Sequence, residues 1–180
     1  SEFGGGTLYD LGSHLIDQAL ILFGHPETVS ADCGIQRQGG AGLDYFRITL
    51  GYGQRRIILS SGSFVRKKGP KYIIHGSKAS YIKYGEDPQE QALLAGASPF
   101  DPGYGEELPS SYGLLHHGEE DAGEHVVTEK GSYHSFYEMM RDAINGAGPV
   151  PVSAESALDV IRIIEMAEKS SKEGKVLTWR

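Results

Sequence analysis

The chain has 180 residues, with 17 Lys+Arg against 24 Asp+Glu and a formal net charge of −7. Its 39% hydrophobic content is enough to bury the core of one domain, and the lack of any run of about 18 apolar residues excludes a transmembrane helix. The acidic balance argues against nucleic acid as a partner. A single cysteine, Cys33, excludes an internal disulfide and a Cys-rich zinc site and points to a reducing, cytoplasmic compartment. The opening SEFGGGTLYD has no Met and no basic region followed by an apolar stretch, so it reads as a fragment or processed chain without a signal peptide.

Taken in chain order, residues 7–23 carry Leu8, Leu11, Leu15, Ala19, Leu20 and Phe23 at helical spacing, with Gly24 and Pro26 as a stop signal. Val29, Ala31, Cys33 and Ile35 then alternate with polar residues, which predicts a half-buried strand. After the turn Gly39-Gly40-Ala41-Gly42, the residues Phe46, Ile48, Leu50 and Tyr52 alternate again, and the apolar run 56–64 supplies a hairpin partner. Residues 71–75 and 79–84 read as a second hairpin across Gly76-Ser77, residues 88–94 as a short helix and residues 125–128 as one more strand. Two helices close the chain. One places Phe136, Met139, Met140, Ala143 and Ile144 on a face and stops at Gly146; the other starts behind Ser153 with the stripe Ala157, Val160, Ile161, Ile164, Ala167 and stops at Gly174. Strands joined by short turns between helices predict a single α+β domain over residues 1–180 with a largely antiparallel sheet.

Charge is uneven. Ten of the acidic residues lie between Glu86 and Glu124, a stretch without Lys or Arg that also holds Pro88, Pro99, Pro102 and Pro109. Such composition predicts an acidic Gly/Pro-rich insert, a solvated surface excursion that borders a substrate site or simply extends the surface. Several nucleotide signatures are missing. A Rossmann cradle needs G-x-G-x-x-G between strand and helix; Gly4 and Gly6 have the first spacing but are followed by Tyr9, and Gly51-Tyr52-Gly53 and Gly103-Tyr104-Gly105 also fail at the third glycine. No P-loop, H-E-x-x-H or G-x-S-x-G occurs.

The sharpest signal is on the first helix, where Asp10 and His14 lie one turn apart on one face, with Asp17 three residues on. A carboxylate one turn from an imidazole can orient it for general acid/base work, and the run Gly4-Gly5-Gly6 ahead of it allows close backbone approach to a ligand. The same spacing is that of an ordinary surface pair. His116-His117, beside Glu119, Glu120 and Asp121, has the residue types of a metal site but not the spacing of one face. The basic tip Arg66-Lys67-Lys68-Gly69-Pro70-Lys71 suits either a phosphate or a solvated turn.

The segment Gly4-Gly5-Gly6-Thr7-Leu8-Tyr9-Asp10-Leu11-Gly12-Ser13-His14-Leu15-Ile16-Asp17 strongly resembles the G-G-G-x-L-x-D-x-G-x-H-x-x-D segment that opens the C-terminal domain of the Gfo/Idh/MocA oxidoreductases. Phe136-Tyr137-Glu138, Gly148-Pro149-Val150-Pro151-Val152-Ser153-Ala154-Glu155 and the long helix that follows resemble the end of that family. The resemblance implies a C-terminal α+β domain built on a large, mostly antiparallel open sheet, helices on one face and a dimer interface on the other. It also implies an N-terminal Rossmann domain, absent from this chain, that binds NAD or NADP. Members move a hydride between the nicotinamide and a sugar, cyclitol or related substrate, so Asp10 and His14 become the expected catalytic and substrate-binding residues, with no cofactor or metal held by this chain. The family's catalytic Lys sits in an E-K-P motif that Glu129-Lys130-Gly131 does not match. The expected function is the substrate-binding, self-associating half of such an enzyme, inactive alone, with neither nucleic acid nor membrane as partner. Two other readings fit: a non-enzymatic dimerisation or ligand-binding module, and a lyase or transferase that uses bound NAD.

Overall fold

The computed structural model describes residues 5–180. Its elements run α1 (Thr7–Phe23), β1 (Thr28–Gly34), β2 (Tyr45–Tyr52), β3 (Arg55–Gly62), β4 (Tyr72–His75), β5 (Ser80–Lys83), α2 (Gln89–Leu94), a 3-10 turn (Pro109–Ser111), β6 (Gly113–His116), β7 (Glu124–Val126), α3 (Tyr133–Ile144), α4 (Ala154–Glu173) and β8 (Leu177–Thr178). The class is α+β, and every strand pairing among the described residues is antiparallel. The strands form two four-stranded sheets, β3-β2-β1-β8 and β4-β5-β6-β7. The chain likewise divides into two compact units, one running through Arg66 and resuming at Val152–Arg180, the other Lys67–Pro151. Pro70, which has no N–H to give to a ladder, stands just ahead of β4.

In the first unit the alternation of β2 turns Phe46, Ile48 and Leu50 inward, each fully buried, and β1 adds Val29. Leu8, Ile16 and Ala19 of α1 and Val160, Ile163, Ile164 and Ala167 of α4 complete that core. Burying each large aliphatic side chain contributes about 1.5–3 kcal/mol. The inward stripe of α1 is Leu8, Gly12, Ile16 and Ala19, whereas Leu11, expected inside, is 47% exposed. Gly12 lies on that stripe over the Phe46 ring, where a Cβ would stand 3.5 Å from the ring and 3.1 Å from the Leu8 Cδ1.

Helix α4 also completes a strand edge. β8 pairs only with Thr28 and Val29. Farther along β1, the Ala31 and Cys33 amides donate to the hydroxyls of Ser170 (3.0 Å) and Ser171 (2.9 Å). Two adjacent serines thus replace the missing stretch of partner strand, and the amides are not left unsatisfied. At the other end, His25 contacts Asp159 of α4 at 2.8 Å and stacks on Trp179. Ser153 caps α4 by accepting the Ser156 amide, and Gly174 ends it.

In the second unit residues 86–124 supply α2, the 3-10 turn, β6 and the first residue of β7. Nine of the ten acidic residues are exposed; Glu107 is the one drawn inside. Lys83, 7% exposed, donates to Glu107 at 2.5 Å, to the Ser111 carbonyl at 2.8 Å and to Thr128 at 3.3 Å, while Thr128 donates to Glu107 at 2.8 Å. Asp87 accepts both the backbone and side-chain N–H of Gln89, whose side-chain oxygen accepts the Tyr133 amide that starts α3. Removing one member of the Lys83–Glu107 pair leaves an uncompensated buried charge, which costs about 3–5 kcal/mol. Lys83→Met is therefore expected to lower the urea midpoint sharply, and Lys83→Met with Glu107→Leu to recover most of the loss.

Candidate active site

α1 begins without a side-chain cap, because Gly6 occupies that position. Its first free donor, the Thr7 amide, goes instead to the Leu43 carbonyl at 2.7 Å. A Cβ on Gly6 would stand 2.6 Å from the Leu43 oxygen, so the two backbones touch. The next link is the Asp10 amide, which donates to the Gly6 carbonyl at 3.2 Å and closes the first helical turn.

Asp10 and His14 are both exposed on the outer side of α1, one turn apart. No hydrogen bond joins their side chains; the local contact is Ser13 Oγ donating to the Asp10 carbonyl at 2.7 Å. Both therefore point outward with their polar atoms available. Ile21, two turns beyond His14 on the same side, is 75% exposed, and Leu11 beside Asp10 adds a second large apolar neighbour. Asp17 is half-buried. Gly4 lies outside the described residues.

The helix foot rests on the 36–44 loop. Asp44, 2% exposed, accepts the Gln36 amide at 2.6 Å, the Arg37 amide at 3.0 Å and the Arg37 Nε–H at 3.0 Å. Its own amide donates to Gly34, and its carbonyl accepts from Ser63. The Gln36 amide, against the opposing cost of burial and with help from Arg37, holds the Asp44 carboxyl below the usual carboxylate range. An open cleft of about 450 Å³ lies here, lined by Gly6, Thr7, Arg37, Gly40 and Leu43 among others, and neither Asp10 nor His14 lines it. Composition hid this arrangement; its sequence trace is the small-residue run 39–42 followed by Leu43 and Asp44.

His116, His117 and Lys68 of the basic tip are locally engaged. The His117 amide donates to Asp121, whose carbonyl contacts His116 at 3.1 Å, so this acidic turn organises backbone. Among the described residues no three His, Cys, Asp or Glu converge on a metal position. Lys68 of the basic tip pairs with Glu86 at 2.8 Å. Burial, with Asp32 and Glu168 adding, pushes the Cys33 thiol up to about 11, a poor nucleophile at neutral pH. No helix among the described residues is long and apolar enough to cross a membrane.

Residues 1–178 match the oxidoreductase family C-terminal alpha/beta domain, GFO_IDH_MocA_C. The chain belongs to this Gfo/Idh/MocA family and corresponds to its C-terminal domain. It is 46% identical over 174 residues to the scyllo-inositol 2-dehydrogenase (NADP(+)) IolW of Bacillus subtilis (strain 168), covering 96% of this chain and 49% of that protein. It is 39% identical to the uncharacterized oxidoreductase YdgJ of Escherichia coli (strain K12), covering 97% and 50%. The fold superimposes on the candidate oxidoreductase yvaA from Bacillus subtilis with a TM-score of 0.93 at 44% identity, covering 100% of this chain and 53% of that one. An oxidoreductase from Bacillus cereus gives 0.87 at 34%, covering 100% and 54%. The chain thus spans about half the length of the curated relatives it matches.

The depressed titration of Asp44 has a defined sign. Its contribution to stability is fully present above the ordinary value of about 3.9 and is lost as pH falls through the lower folded value. The stability difference between the wild type and Asp44→Asn, measured by urea unfolding, is expected to be constant from pH 7 to about 5 and to shrink below about 4.

Proposed function

We propose that this chain is the substrate-facing and self-associating half of an NAD(P)-dependent oxidoreductase acting on a secondary hydroxyl of a sugar or cyclitol. The observation that carries the reading is the Asp10–His14 pair, set one turn apart on the outer face of a helix whose start is pinned by backbone contacts. His14 takes the proton that the substrate hydroxyl loses as it becomes a carbonyl. Asp10 orients the hydroxyl or the imidazole by accepting a hydrogen bond. The hydride goes to a nicotinamide held outside this chain. The exposed Leu11 and Ile21 beside the pair support a site that is covered, and so kept from water, in the whole protein. By itself the chain is inactive. The name of the 46%-identical relative supports scyllo-inositol and NADP+ as the first pair to assay.

The test is steady-state kinetics of the full-length protein. His14→Ala and Asp10→Asn are each expected to lower kcat by about 10²–10⁴-fold, and NADH titrated into the 180-residue chain is expected to give no saturable binding. Wild-type kcat in His14→Ala would overturn the reading and leave a ligand-binding or dimerisation module; micromolar NADH binding to the chain would overturn the assignment of the cofactor elsewhere.

Self-association is proposed through the second sheet. Its register sets Ile73, Ile82 and Leu114 side by side across three strands, with Ile73 54% exposed. Such a row suits the interface of a homodimer. Ile82→Arg is expected to convert the full-length protein to monomer in sedimentation velocity, and an unchanged oligomer would remove this face from consideration.

A further inference from the structure

We propose that Asp44 is a positioning residue for the Asp10–His14 pair, acting through the backbone on either side of it; the proposal rests on the reading of that pair as the proton-handling group. A β-hairpin needs no charged residue to close, yet the β1–β2 connection holds a carboxylate that is 2% exposed and accepts three N–H bonds. That arrangement sets the path of the chain on both sides of Asp44. One residue earlier, the Leu43 carbonyl receives the Thr7 amide, a donor that the helix itself leaves unpaired. Two residues later, Phe46 forms the floor on which Gly12 rests. Two of the points that hold α1 near the pair are therefore set from one residue.

The transmission path is short and contains no flexible side chain. From Asp44 it runs to the Leu43 carbonyl, to the Thr7 amide at 2.7 Å, and from the Gly6 carbonyl to the Asp10 amide at 3.2 Å. The contact of Gly6 with Leu43 and Gly42 leaves no slack at the helix start. Release of the loop lets the first turn shift by a fraction of an ångström to an ångström. A misplacement of that size at a reacting group costs up to about 100-fold in rate while leaving substrate affinity nearly intact.

Two variants of the full-length protein separate positioning from bulk stability. Asp44→Asn keeps the shape and removes the charge that holds the loop. Thr7→Pro leaves the loop intact, is favourable at the first helical position, and drives a ring carbon between the helix start and the Leu43 carbonyl. Each is expected to lower kcat for scyllo-inositol oxidation by NADP+ about 10- to 100-fold with KM within about threefold, and to raise amide hydrogen exchange across residues 7–14 at least about tenfold. Thr7→Pro is expected to do so with a melting temperature within about 3 °C of wild type, which a purely structural role of the loop does not predict; it stands in if Asp44→Asn does not fold. Wild-type kcat in both variants, with Asp10→Asn and His14→Ala inactive, overturns the proposal alone. Wild-type kcat in Asp10→Asn and His14→Ala overturns the underlying reading and the proposal with it. Should wild type not oxidise scyllo-inositol, the exchange measurement decides, and unchanged exchange at the helix start in both variants overturns the proposal.

Discussion

The first unit depends on one constraint: a four-stranded sheet with an apolar face must be covered, and the two helices that cover it come from opposite ends of the chain. Phe46, Ile48 and Leu50 can leave water only if α1 and α4 both lie across them. The edge of β1 adds a polar version of the same demand, because β8 is two residues long and Ser170 and Ser171 must satisfy the amides it does not reach. Apolar burial and edge satisfaction together make α4 indispensable to a sheet whose other strands lie far from it in sequence.

The helix that carries Asp10 and His14 is therefore held from beneath by Gly12 on Phe46 and from its start by Leu43. Its outer face takes no part in folding. A scaffold that fixes one face of a helix and leaves the other free is well suited to presenting polar groups without burying them.

The second unit is held together differently. Its buried residues include Lys83, Gln89 and Glu107, and its helices α2 and α3 are joined at their starts through the Gln89 side chain. Polar networks of this kind are directional, so they specify geometry where short strands of three or four residues provide little apolar area.

The sequence by itself determined the α+β class, the antiparallel pairing, most helix and strand positions and the outward pair Asp10–His14. These follow from local rules: a period of two or 3.6, glycine and proline stops, and the fixed angle between residues four apart. Only the tertiary structure decided which stripe of α1 faces inward, since that choice depends on what the sheet and α4 place beneath the helix. The elements inside the acidic stretch 86–124 were hidden for the same reason: Glu107 meets Lys83 24 residues away, while the other nine acids stay exposed. Asp44 was silent in the sequence because a carboxylate bound by backbone amides leaves no pattern in residue types. Its partners are main-chain N–H groups, which every residue except proline carries, and only the folded path of the chain decides which of them converge.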